Sequence, residues 1–84
     1  MNTMSTNMPL SAIGIGSMCQ VVSLNLEGLL RRRILDLGMV PGTPVQCIRK
    51  SPAGDPVAYL VRDTLIALRS EDASQITVNL TKEF

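Results

Sequence analysis

The sequence predicts a mainly β fold. The expected architecture is a small, strongly bent β-barrel of about five strands, with one α-helix inserted after the first strand and a short helical turn before the last. Three observations lead there. The chain has 84 residues, enough for one domain and one core. A single stretch, residues 26–37, repeats apolar residues with a helical period. The rest alternates short β-branched or apolar runs with clusters of Pro, Gly, Asp and Ser.

Taken in order, residues 1–8 read as a flexible tail, because Ser, Thr and Asn interrupt the methionines. The folded domain is expected over residues 9–80, and residues 81–84 should fray. Pro9 to Ile13 fits one helical turn or an extended lead-in, with Leu10 and Ile13 capping the core. Residues 18–24 form the first predicted strand, with Cys19, Val21 and Ser23 on one face. Asn25 is the expected N-cap of the helix that follows. In that helix Leu26, Leu30, Ile34 and Leu37 make one stripe. Arg31, Arg32 and Arg33 flank it, since at ~100° per residue three consecutive side chains cannot share one face.

Residues 35–42, Leu-Asp-Leu-Gly-Met-Val-Pro-Gly, read as the joint of the fold. Leu37 should anchor the last turn and Gly38 should stop the helix in a left-handed conformation. Met39 should tuck under the barrel, and Pro41-Gly42 should launch the second strand, residues 43–50. Residues 51–56 are rich in turn formers. Residues 57–62 form a third strand, with Val57, Tyr59 and Val61 on one face. A tight turn at Asp63-Thr64 leads to a fourth strand, residues 64–68. Ser70 is the expected cap of a short helical turn, and residues 76–80 close the sheet.

Composition narrows the function. Hydrophobic residues make up 45% of the chain and charged residues 18%, which is globular rather than disordered. The formal net charge of +1 is too balanced for affinity built on phosphate neutralisation. With only Tyr59 and Phe84 as aromatics, neither base stacking nor an aromatic groove for proline-rich peptides can be assembled. No nucleic-acid partner is expected. No stretch of ~18 apolar residues is present, so no direct membrane insertion is expected. Residues 1–18 lack the basic start and continuous apolar run of a signal peptide.

Catalysis and metal chemistry find little to work with. There is no histidine, and no nucleophile lies beside a plausible base. The chain therefore reads as a non-enzyme, with no catalytic, cofactor-binding or metal-ligating residues assigned. Cys19 and Cys47 stand 28 positions apart without a Cys-x-x-Cys pair. They read as small core residues in a reducing compartment. No required cofactor is expected.

Three blocks carry a resemblance to a known family. Residues 33–42, Arg-Ile-Leu-Asp-Leu-Gly-Met-Val-Pro-Gly, resemble the R-L-x-x-L-G-[ML]-x-P-G block of FeoA, ferrous iron transport protein A. Residues 52–56, Pro-Ala-Gly-Asp-Pro, resemble that family's P-L-G-D-P loop, with Ala53 where the loop usually carries Leu. Leu68, Arg69, Ala73, Ile76 and Val78 resemble its L-R-x-x-x-A-x-x-I-x-V ending. Leu37, Gly38, Met39, Pro41, Gly42 and Pro56 are the structural signature within these blocks.

The resemblance implies an SH3-like barrel similar to the C-terminal domain of DtxR-type repressors. It also implies a cytoplasmic accessory or regulatory role in ferrous iron uptake. The implied partner is a FeoB-like membrane GTPase transporter, which would recruit the protein to the inner face of the cell membrane. Arg31 and Arg32 on the helix flank and Ala53, Gly54 and Asp55 in the loop are the candidate partner contacts, because a core does not need them. The alternative is a transition-metal-binding regulatory module related to the repressor domain, with weak binding of Fe2+ or another divalent ion.

Overall fold

The computed structural model describes residues 7–81. Six antiparallel strands form one sheet: β1 (Asn7–Pro9), β2 (Met18–Leu24), β3 (Pro44–Lys50), β4 (Val57–Val61), β5 (Thr64–Leu68) and β6 (Ile76–Leu80). Helix α1 (Gly28–Asp36) follows β2, and α2 (Ser70–Ala73) precedes β6. The sheet order is β1-β6-β2-β3-β4-β5. A 3-10 turn at Leu10–Ala12 follows β1 and meets α2, which follows β5. That contact brings the two ends of the sheet together around one core.

The core comes from one face of each long strand. Cys19, Val21, Val45, Cys47, Val57, Tyr59, Val61, Ile66, Leu68, Ile76 and Val78 are buried in a single cluster. Leu10 and Ile13 close it from the N-terminal side, as their apolar character predicts. The period-two burial of β4 is complete, with Val57, Tyr59 and Val61 all inside.

Several expectations change. Asn7 and Met8, assigned by sequence to the flexible tail, lie in a sixth strand opposite Asn79 and Val78. Three polar-to-apolar residues carry too short a pattern to signal a strand. The remainder of that tail, and residues 82–84 at the other end, lie outside the described residues. Thr81, expected to fray, donates its N–H to the Met18 carbonyl at 3.2 Å.

The α1 helix starts later than its apolar stripe suggests. Glu27 keeps an extended backbone and Gly28 has φ +69°, so Leu26 is buried from the link rather than from the helix. Asn25 is therefore not the N-cap. Glu27 takes that place, without a side-chain cap. Leu37 is not an anchor: it is 39% exposed, and half-buried Leu30 and Leu35 pack beside Ile34 instead.

The joint after α1 is closed by hydrogen bonds. The Met39 N–H donates to the Ile34 carbonyl at 3.2 Å, and the Gly38 N–H donates to Leu35 at 2.9 Å. This pairing is a Schellman motif, with Gly38 at φ +104° and Met39 packed in the core beside Ile34. Thr43, which the sequence reading treated as an ordinary strand start, is only 4% exposed. Its hydroxyl donates to the Gly38 carbonyl at 3.1 Å. Gly42 N–H reaches the Val21 carbonyl at 2.7 Å, and Val21 N–H reaches Thr43 at 3.0 Å. The corner is thereby sewn to β2.

The β4–β5 turn is Arg62-Asp63 rather than Asp63-Thr64. Val61 pairs with Thr64, and both turn residues have positive φ, 49° and 68°. That is the mirror-image turn whose twist suits a two-residue hairpin. Ser70 does not cap α2 through its own side chain, since α2 has no side-chain cap from its N-cap Arg69. The cap is supplied from a distant loop, as described below.

Candidate functional site

Helix α1 has nine residues and buries only Ile34 fully. Apart from half-buried Leu30 and Leu35, its other side chains are exposed. Arg31 and Arg32 are exposed on the outer side and line a shallow hollow of about 420 Å³ with Gly28, Leu35 and Asp36. A neighbouring hollow of about 380 Å³ is lined by Leu29, Arg32, Arg33, Asp36 and Leu37. Leu29 is 85% exposed. The sequence reading missed Leu29 because it sits one residue off the stripe that names the core face. Its signal was an apolar residue on the charged side.

Asp36 sits four residues after Arg32 and three after Arg33, a spacing that allows helix ion pairs. The pairs do not form. Among the described residues Arg31, Arg32, Arg33, Arg62 and Arg69 make no ion pair and no side-chain hydrogen bond. The Arg62 side chain lies over the helix stop: a Cβ built on Gly38 would come within 3.0 Å of its Cδ. Cationic side chains at the C-terminal end of a helix interact favourably with its dipole. The helix thus presents a solvated cationic flank interleaved with leucine.

The 51–56 loop divides into two parts. Ala53 and Gly54 are exposed at its tip. Asp55 is half-buried, and its Oδ1 accepts hydrogen bonds from the Ser70 N–H at 2.8 Å and the Ser70 hydroxyl at 3.1 Å. Asp55 therefore caps α2 from fifteen residues away, serving the role that sequence assigned to Ser70. The loop closes on itself through Gly54 N–H to the Ser51 carbonyl at 2.8 Å and Ser51 N–H to Pro56 at 3.1 Å. No hydrogen bond joins this loop to α1 among the described residues.

The described residues show no assembled donor set for a metal ion. Among the described residues no group of three or more His, Cys, Asp or Glu side chains converges. Cys19 and Cys47 are free and buried. The Cys19 thiol approaches the Val45 carbonyl at 3.5 Å. Burial first, and then the nearby Cys47, push it up to about 11. Burial also raises Cys47, partly offset by Lys50. A metal ion or electrophile would have to displace the proton of a thiol whose charged form burial disfavours. Tyr59 is pushed up to about 12 by burial, then by Cys47, Cys19 and Asp55, and serves as a core residue. No helix among the described residues is long and apolar enough to cross a membrane.

Comparison with known proteins places these features in a family. Residues 8–80 match the model of the FeoA domain. A Fe(2+) transport protein A/Fe(2+) transporter FeoB fusion protein of Porphyromonas gingivalis is 37% identical over 73 residues. That stretch is 87% of this chain and 9% of the fusion protein, so the chain corresponds to a small part of that relative. The solution structure of FeoA from Chlorobium tepidum superposes with a TM-score of 0.86 at 35% identity, covering 89% of this chain and 71% of that one. A crystal structure of Stenotrophomonas maltophilia FeoA complexed with zinc, described as a prokaryotic SH3 domain protein, gives 0.74 at 32% identity. It covers 84% of this chain and 88% of that one. The fold is accordingly SH3-like. A manganese-dependent transcriptional repressor shares the fold alone, with a TM-score of 0.80 at 14% identity over 94% of this chain and 44% of the repressor.

Proposed function

The chain belongs to the FeoA family, and from that premise we propose that it is a cytoplasmic accessory protein of ferrous iron uptake. It acts by binding alone, docking on a FeoB-type membrane GTPase transporter at the inner face of the membrane. Iron is the transporter's cargo and needs no site on this chain. One observation carries the reading: α1 commits a single side chain fully to the core while holding Arg31, Arg32 and Arg33 free of ion pairs among the described residues. Unpaired arginines beside exposed leucine suit a protein interface, where arginine is enriched and charge steers encounter. The fusion of an FeoA-like part to FeoB in the P. gingivalis relative supports the partner.

Arg31 and Arg32 make the charged contact, and the Ala53–Gly54 tip makes a second, with Asp55 holding the tip in place. The test is capture of detergent-solubilised transporter by this protein in nucleotide-free, GDP and GTP-analogue conditions. Enrichment in at least one state is expected, and none in any state would refute docking. Charge reversal at Arg31 and Arg32 should abolish capture. Retained capture would move the contact elsewhere while leaving docking intact.

The zinc complex of the S. maltophilia relative favours a second reading, a transition-metal-binding regulatory module. With two buried thiols as its softest donors and no converging group of three donors among the described residues, this chain would bind such an ion weakly or share it with a partner. Anaerobic Fe2+ titration distinguishes the readings. Binding lost on Cys19→Ser or Cys47→Ser supports the module, and a flat titration refutes it.

A further inference from the structure

The sheet ends at β5, which pairs with β4 alone. In a two-residue hairpin the pair flanking the turn, here Val61 and Thr64, exchanges both of its main-chain hydrogen bonds, and the pattern then alternates. Ile66 and Leu68 therefore bond inward to Tyr59 and Val57. Leu65 and Ala67 turn their N–H and C=O groups outward, away from β4. Among the described residues nothing bonds them. Leu65 is 51% exposed, and Ala67 is exposed too. An unpaired, apolar edge of this kind is a template for another strand.

A groove of about 310 Å³ runs beside this edge. Its β side is lined by residues 66–68 of β5 and by Arg69 just after it, and its other wall by Leu30 and Arg33 of α1 and Leu37 just after it, with Asp72 also in the lining. Consecutive strand residues point to opposite faces. A hollow that touches residues 66, 67 and 68 in a row therefore follows the strand's edge rather than either face alone. The groove offers main-chain partners on one side and leucine on the other. Arg33 and Arg69 border it, and neither has an ion pair among the described residues.

We propose that the β5 edge and the facing wall of α1 form a docking groove for an extended, acidic segment of a partner polypeptide, which adds to the sheet as a further strand. Main-chain hydrogen bonds to Leu65 and Ala67 supply affinity. Leu30 and Leu37 take apolar side chains, and Arg33 and Arg69 take carboxylates. Charge complementarity selects this occupant over a second copy, since Arg33 and Arg69 outnumber Asp72 in the lining and a second β5 edge would bring its own two arginines toward the first pair. The proposal deepens the docking reading and rests on it only for who the partner is.

The probe is a short synthetic peptide alternating valine and glutamate, compared with a version carrying lysine for glutamate. Backbone NMR with amide hydrogen exchange should show the Leu65 and Ala67 amides protected by the glutamate peptide and not by the lysine one. Ala67→Pro removes an outward N–H that the β4 ladder does not use. It should weaken the glutamate peptide about tenfold, the loss of one main-chain hydrogen bond. Should that variant fail to fold, Arg33→Glu with Arg69→Glu gives an independent reading: preference should invert toward the lysine peptide.

Equal binding of both peptides, or shifts confined to other surfaces, would overturn the proposal. Protection that rises with protein concentration and needs no peptide would overturn it in favour of self-association. The test needs no transporter. Peptide failure with transporter capture intact therefore removes the groove and leaves docking standing.

Discussion

The inner side of α1 with the corner that follows it, and the outer side of α1, behave in opposite ways. On the inner side, residues 34–43 satisfy one another: a Schellman pairing, a buried methionine, and a threonine hydroxyl returned to the Gly38 carbonyl. On the outer side, Arg31, Arg32 and Arg33 have no partner among the described residues, and Leu29 stands in solvent. The difference shows how a small domain divides its sequence. Residues that close hydrogen bonds and fill volume define the shape. Residues left unsatisfied on a rigid support are free to be spent on another molecule.

The contrast predicts graded damage. Met39→Ala should be the most destructive, because Met39 is fully buried and truncation leaves a cavity. A loss of about 2–5 kcal/mol is expected, read as a lowered urea midpoint with an unchanged slope. Gly38→Val comes next. It forces a β-branched residue to φ +104° and meets the Arg62 side chain, at a cost of roughly 1–3 kcal/mol. An unchanged Tm would show that the joint tolerates what its geometry forbids.

Alkali should act on the inner side as well. The folded Cys19 value of about 11 lies above its ordinary 9.0, and Tyr59 moves from 10.0 to about 12. Both groups are neutral when protonated. Their contribution is therefore whole below pH 9 and is lost as pH rises through the folded values. Stability should hold to about pH 9 and fall between there and 12. Cys19→Ala should remove the earlier part of that fall.

Asp55→Ala breaks the tie to Ser70 and should cost about 1 kcal/mol, seen as faster amide exchange in α2 and the 51–56 loop. Arg31→Glu with Arg32→Glu closes the series. Stability should change by less than about 0.5 kcal/mol while transporter capture is lost. A large fall in Tm instead would mean that the outer face holds the fold together, and the division drawn above would collapse.

Much of the inner side could be read from residue types. Gly38 and Met39 behave as their positions demand, because a helix stop needs a residue tolerant of positive φ and an apolar residue just beyond it needs burial. The alternation in residues 57–61 translates directly into β4. Misreadings arose where a local signal lost to tertiary demand. Leu37 follows the helical period yet lies outside, since the chain leaves the helix there and Met39 takes the core position. Asn25 and Ser70 look like caps, but Gly28 starts one helix and Asp55 caps the other. Neither contact is visible to a reading along the chain.

The outer side was harder. Arg31 and Arg32 stood out as charges beside a stripe, and the structure does expose them. Leu29 gave only the weak sign of an apolar residue among charges, and the β5 edge gave none. An exposed leucine is common on any surface, and an edge strand is defined by the neighbour it lacks. Only sheet order reveals that.

The pairing of β1 with β6 has a consequence of a different kind. Asn7 stands opposite Asn79, so the chain enters and leaves the domain at one place, within about a strand spacing. A unit whose ends meet can be joined to another polypeptide at either terminus, or set between two segments, without its own strands being pulled apart. Geometry of this kind suits a portable module, equally at home as a separate chain or as one part of a longer one.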